Sequence, residues 1–253
     1  MEDQIKIDFE KIIKNSSFSE NDIKFKKNNL YKFISSGFPN KKLENWKFSD
    51  LNQIINKNID NLSFYNDYSS TNKINSSVFV EGLEHNKIVF VNGRVEKIDF
   101  KYEEKDKIEV LDKVELNTNN KEINSLISLN NAFSNKLYKI IVKKNYTIKK
   151  PIIIYHTTND KIKSKNINLR LDFKLEQNSS LKIVDVFNDA SEYNFINIFY
   201  NFELDKDTIL KNYKIDKLEN KNIKYSFNNI EQEVNSVSET FILSSGSNFL
   251  KNE

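Results

Sequence analysis

The side chains of this chain that could do chemistry are few and scattered. Asp185, Asp189 and Glu192 form one acidic cluster beside the end of a strand-like run. Two carboxyl groups flanking a scissile bond can pass protons to and from it, so such a cluster could serve a carbohydrate-active lyase or esterase. The same residues also suit a solvated turn, which is the preferred reading, because a catalytic carboxylate needs a cleft around it. His85 and His156 are the only histidines; they lie far apart with no paired spacing, which favours ordinary surface or strand positions over metal ligation. Gly37, Gly82, Gly93 and Gly246 are isolated, so there is no glycine-rich phosphate loop and any ATP would bind a partner. With no cysteine, the chain can offer no disulfide and no thiolate to zinc or to an iron–sulfur cluster.

Charge and hydropathy narrow the partners. Lys+Arg 39 against Asp+Glu 36 leaves a net charge of +3, and the basic residues are interspersed with acidic ones. No basic stripe is available for nucleic acid. The abundant Lys, Asn and Ile fit a biased base composition and are discounted as signals. The acidic start, Met1-Glu2-Asp3-Gln4, lacks the basic segment and apolar core of a signal peptide, and no apolar run reaches membrane-spanning length. The expected location is cytoplasmic, away from membranes.

The elements that would position these residues are mostly strands. In 168–175, Leu169, Leu171, Phe173 and Leu175 alternate with Asn168, Arg170, Asp172 and Lys174, the pattern of a strand with one core face and one wet face. Similar runs follow at 181–187, 195–204, 208–215, 223–230 and 237–243, divided by turn-like pairs such as Asn178-Ser179 and Asp205-Lys206. Their spacing of about 8 to 14 residues predicts an all-β stack over 137–253. Strands are also expected at 78–80, 88–91, 138–142 and 151–155, and Asn92-Gly93 predicts a type I′ hairpin into 94–98.

Helical spacing occupies the start. Ile5, Phe9, Ile12 and Ile13 form one stripe. Ser19 with Asp22 has the layout of an N-cap and an acidic N3, followed by Ile23, Leu30, Tyr31 and Ile34 on one face. This helix should end near Ser36, with Gly37 in the left-handed position after it and Pro39 barring continuation. Residues 56–76 read as a polar loop, and 121–133 returns to helical spacing through Ile123, Leu126, Ile127 and Phe133.

One short segment carries a resemblance. Gly37-Phe38-Pro39-Asn40-Lys41-Lys42-Leu43-Glu44-Asn45-Trp46-Lys47-Phe48-Ser49-Asp50-Leu51 holds the only tryptophan. It resembles the N-terminal motif of the SufB/SufD family of iron–sulfur cluster assembly scaffold proteins, a Gly-Leu-Pro step leading to Glu-x-Trp-Lys-Tyr-Thr-Asp-Leu. Gly37, Pro39, Glu44, Trp46, Lys47, Asp50 and Leu51 match, while Phe38, Phe48 and Ser49 are close replacements. Leu129-Asn130-Asn131-Ala132-Phe133 is similar to the Leu-Asn-x-Ala-Phe element preceding the family's β-helix. The Pro151-Ile152 step and the run from Leu181 to Asp185 resemble its recurring strands, and 246–253 resembles a Gly-x-x-x-x-Arg-Asn-Glu/Asp segment with Lys251 in place of arginine. The order of these motifs is what persuades.

The missing cysteines make the chain similar to SufD rather than to SufB. What the resemblance implies is a β-helix with a small N-terminal helical region: helices in 1–60, a hairpin and connecting helix in 61–136, and the β-helix in 137–253, incomplete at its C-terminal end. It implies a non-catalytic subunit in a hetero-oligomer with SufB-like and SufC-like partners, which would hold the iron–sulfur cluster and ATP. The partner-binding strands, a histidine-containing segment and the helices for the ATPase would fall after Glu253, so the chain reads as a fragment. The motif residues Gly37, Pro39, Glu44, Trp46, Lys47, Asp50, Leu129, Asn130, Ala132 and Phe133 are expected to be structural. Trp46 and Phe48 would pack the helices onto the β-stack while Glu44 and Lys47 pair or cap locally.

Overall fold

The computed structural model describes residues 1–65, 79–113, 124–158, 162–189, 191–217 and 222–253. Among the described residues four helices and a 3₁₀ turn occur: α1 (Glu2–Lys14), α2 (Glu20–Ser36), the turn Glu44–Trp46, α3 (Leu51–Asn58) and α4 (Ser125–Phe133). The strands are β1 (Asn86–Val91), β2 (Arg94–Asp99), β3 (Ile108–Lys113), β4 (Leu137–Val142), β5 (Ile152–Thr158), β6 (Asn166–Leu175), β7 (Ser180–Asp189), β8 (Phe195–Leu204), β9 (Ile209–Lys217), β10 (Ile223–Gln232), β11 (Val237–Ser245) and β12 (Phe249–Asn252). They form a β-solenoid of about four turns, the stack expected from the alternating runs coiled into the β-helix that the resemblance implies.

From β4 onward successive strands go alternately to two sheets, ordered β11-β9-β7-β5-β1-β2 and β12-β10-β8-β6-β4-β3. Each strand therefore pairs in parallel with the one two places on. Asn166 sits beside Phe195, and Phe195 beside Ile223, so one coil takes just under thirty residues. Both sheets also take in β1, β2 and β3, which precede residue 137. At one end of successive coils Asn145, Asn178, Asp207 and Asn235 adopt φ of 58°, 58°, 59° and 60°. Asn and Asp tolerate this left-handed turn because their short side chains bond locally. Here they bond between coils, Asn178 Nδ2 donating to Asn145 Oδ1 at 2.9 Å and Asn235 Nδ2 to Asp207 Oδ1 at 3.1 Å.

The interior between the sheets is apolar through the early coils, where Leu169, Leu171, Phe173 and Leu175 point inward as their alternation predicts. The opposite face of β6 is not wet. Asn168, Arg170 and Asp172 are buried too, because the helices lie across that sheet.

The helices follow their signals, with corrections. Ser19 and Asp22 complete a capping box, the Ser19 hydroxyl accepting from Asp22 N–H and the Asp22 carboxylate from Ser19 N–H. The buried stripe of α2 is Asp22, Lys26, Asn29 and Phe33, whereas Tyr31 is 72% exposed. Lys26 and Asn29 face inward because their partners lie at the C-terminal end of α4, while Asp22 is held by the cap itself. Gly37 has φ 68° and ψ −169°, so it is extended with positive φ rather than in the left-handed helical position, a conformation only glycine adopts readily.

Elsewhere, Phe79 and Val80 are not in a strand: Val80 N–H bonds the Tyr155 hydroxyl at 3.0 Å instead of a neighbouring backbone. Val78 lies outside the described residues. The helical run expected over 121–133 is seen from its N-cap, Asn124, and 121–123 lie outside the described residues. In the expected loop 56–76, the first three residues complete α3 and 66–76 lie outside the described residues. Asn92 and Gly93 both have positive φ and join β1 to β2 as predicted.

Candidate functional site

The segment 37–51 is pinned at both ends. Leu51 N–H donates to Pro39 O at 3.0 Å, and the Asp50 carboxylate caps α3 by accepting from Gln53 N–H at 2.9 Å. Between them the 3₁₀ turn drives Trp46 inward to 5% exposure. The indole stacks on Phe249 at 6.0 Å with 22° between planes and lies 5.9 Å from Tyr225. Lys251 Nζ sits 4.9 Å from the indole centroid, donates to Asn45 O at 2.8 Å and pairs with Glu253 at 2.9 Å. The Tyr225 hydroxyl donates to Glu253 at 2.6 Å and accepts from Asn124 Nδ2 at 2.8 Å. Burial and the Glu253 carboxylate push that phenol well above its ordinary range.

The motif residues thus divide into those that meet and those that do not. Trp46 and Asn45 meet the final segment, and a groove of about 710 Å³ lined by Pro39, Glu44, Trp46, Asn124 and Glu253 runs along the seam. Phe48 is 86% exposed and packs nothing onto the β-structure, since the turn that brings Trp46 inward leaves it outside. Glu44 and Lys47 are exposed and linked through the backbone, Lys47 N–H to Glu44 O at 3.3 Å.

The second motif is buried throughout α4, with Leu129, Asn130 and Ala132 at 0% and Phe133 at 4% exposure. Asn130 Nδ2 donates to Leu169 O at 3.0 Å and Asn197 O at 2.8 Å, so one amide ties α4 to β6 and β8. Ser134 Oγ donates to Asn130 Oδ1 at 2.7 Å, fixing the amide's orientation. At the end of α4, Lys26 Nζ donates to Ser134 O at 2.5 Å and Ala132 O at 3.4 Å. A cation suits the negative end of a helix. Burial nonetheless pushes the Lys26 ammonium down to about 7, against the pull of Asp22. Arg170 continues this seam, donating to Asn131 Oδ1 at 3.1 Å and to Asp172 at 3.2 Å.

A second polar centre, which sequence reasoning missed, lies inside the solenoid. His156 Nε2 is 2.6 Å from Asp185 Oδ1, and its ring is sandwiched between Phe187 at 4.1 Å and Phe90 at 5.3 Å. Lys214 donates to Ser226 Oγ at 3.0 Å and Asn228 Oδ1 at 2.7 Å, and Lys224 pairs with Asp216 across the two sheets. Burial alone would push the pKa of Asp185 up, but His156, Lys214 and Lys224 together hold its carboxyl below the ordinary range. Burial and that carboxylate push the Tyr200 hydroxyl up. The sequence signal was present as polar residues at alternating inward positions of β9 and β10, but a pattern of that kind reads equally as a solvent face.

This arrangement revises two expectations. Asp185 is sealed in the interior while Glu192 is half-buried in the turn after β7, so these two carboxylates do not share a cleft; the Asp189 side chain lies outside the described residues. His156 occupies a strand position in β5, as one of the two expected readings has it, but both histidines are buried rather than at the surface, His85 bonding Leu83 O through Nδ1 and the Tyr155 hydroxyl through Nε2. Among the described residues no group of three or more His, Cys, Asp or Glu is placed to hold a metal, and no helix is long and apolar enough to cross a membrane. The chain matches no family model and no curated protein.

Proposed function

We propose that this chain is a non-catalytic, cytoplasmic scaffold subunit of the iron–sulfur cluster assembly machinery, similar to SufD, that works in a hetero-oligomer with a SufB-like protein and a SufC-like ATPase. The observation that carries the reading is the seam. Segments 37–51 and 246–253, two of the stretches on which the resemblance rests, pack against each other through Trp46, Phe249 and Lys251, although Asn45 and Lys251 are 206 residues apart. Lys251 supplies there a cation over the indole and a donor to Asn45 O, a role that fits the arginine expected at its position. Two further motif residues serve the framework: Asn130 ties α4 to two strands and Asp50 caps α3.

The mechanism is mechanical. A subunit that transmits an ATPase-driven change must keep its helices fixed to the strands they cover, and the seam joins the two through a buried indole, an ion pair and charge-assisted hydrogen bonds. The cluster is the machinery's product, formed on partner side chains, while ATP binds the SufC-like subunit. Expression of the chain in cells lacking their own SufD tests this. Restored activity of iron–sulfur enzymes is expected. Failure to restore it, together with cleavage or deacetylation of polysaccharide by the purified chain, would favour a carbohydrate-active β-solenoid instead.

A further inference from the structure

The apolar interior of the solenoid gives way to a polar one within a single coil. At matching inward positions Ile154 of β5 is followed by Asp185 of β7, Lys214 of β9 and Ile242 of β11. In the facing sheet Ile196 and Ile198 of β8 are followed by Lys224 and Ser226 of β10. Of the buried residues of the interior apolar cluster, β9 contributes Leu210 alone and β10 and β11 contribute none. The outer faces differ as well. That of β10 is anchored beneath the helices by Ile223 and Tyr225, whereas Ile209 and Ile215 of β9 are 44% and 37% exposed, and β11 is exposed along nearly all its length.

Two lysines are enclosed here, and they are not equivalent. Lys224 pairs with Asp216 and stands 3.3 Å from the centroid of the Phe187 ring. Lys214, 0% exposed, has its bonds among the described residues to a hydroxyl and an amide oxygen, with the Tyr200 ring centroid 3.8 Å away. Among the described residues no carboxylate is in ion-pair contact with this enclosed ammonium, an arrangement that interiors tolerate poorly.

We propose that β9 and β11 open together as a unit separate from the rest of the solenoid, and that this opening takes up one proton at Lys214. Opening lets water reach the amine, which then binds a proton that the closed interior disfavours. Burial, partly opposed by Asp185, holds Lys214 at about 7 in the closed state against 10.5 in the opened one. Because the closed-state value is the lower, the opened state binds more protons between these limits. Closure is therefore strengthened as pH rises through that window, and this group adds no slope below it. The other groups facing the chamber are His156 of β5, Asp185 of β7, Tyr200 of β8, Asp216 of β9, Lys224 of β10 and Ser244 of β11; β6 presents apolar side chains, and β12 presents Leu250 and Asn252. Asp185, held below the carboxylate range, and Tyr200, at 10 or above in both states, titrate outside the pH 7 to 9 span of the test.

Millisecond pulsed hydrogen exchange on the intact chain, corrected for intrinsic rates, tests this. At pH 7 the amides of β9 should be less protected than those of β6, and they should gain about fiftyfold protection by pH 9. Lys214→Met should flatten that gain, while Lys26→Met, which removes the similarly depressed amine of α2, should leave it unchanged. Equal protection of β9 and β6 amides in the unaltered chain would overturn the separate opening, whether or not the variant folds. A pH slope surviving in Lys214→Met would overturn the assignment of the proton.

Discussion

Trp46 has two aromatic neighbours and a lysine over its face, and truncating it would leave a cavity between helices and solenoid. Trp46→Ala is expected to destabilise by about 3 to 5 kcal/mol in urea unfolding. Phe48→Ala, at an exposed site, is expected to stay within about 0.5 kcal/mol. Comparable losses in the two variants would contradict the assignment of the docking role to Trp46 alone. Asn130→Ala strips a donor from two strand carbonyls and is expected to cost about 2 kcal/mol in the same measurement; a neutral substitution would mean that α4 is held by packing alone. The burial of Trp46 was legible because a lone indole between a helix end and a helix cap has few other uses. That of Lys26, Asn29 and Arg170 was not, since such polar side chains on a helix or strand ordinarily mark the solvent side, and only the end of α4 reverses the reading, through carbonyls that Lys26 meets and the Asn131 amide that Asn29 and Arg170 meet.

At the level of elements, local rules were read correctly where the chemistry is local. The Ser19 capping box and the Asn92-Gly93 turn depend on neighbours in sequence, and both are present. Gly93 has φ 83°, and a Cβ there would stand 3.0 Å from Ile167 Cγ2. Gly93→Ala is therefore expected to lower stability by at least about 1 kcal/mol, measured by thermal unfolding. The faces of α2 and β6 were misread because each is decided by what crosses it from far along the chain. That crossing has a pH signature. Lys26 is held near 7 in the fold and titrates at 10.5 when unfolded, so it adds stability as pH rises from 7 towards 10.5. Lys26→Met should show a shallower rise over that window than the unaltered chain; an unchanged slope would place the charge in water.

For the whole molecule, the stack of strands was visible in the alternating runs, but the coil was not. Side chains at equivalent positions change type from coil to coil, Ile154 to Asp185 to Lys214, because an interior contact needs a complementary neighbour and not a repeated one. The turn residues keep the period over four coils: Asn145, Asn178, Asp207 and Asn235 occupy a backbone conformation that few residue types accept. The seam was legible as two separate motifs, and their contact across the chain came from the fold. The scaffold reading rests on that contact, and it is tested most directly by capturing an epitope-tagged chain from the cells that encode it and weighing the complex by native mass spectrometry. A complex containing SufB-like and SufC-like subunits, lost when Trp46→Ala loosens the seam, is the predicted result. A chain recovered without either subunit, from cells in which both are present, would contradict it.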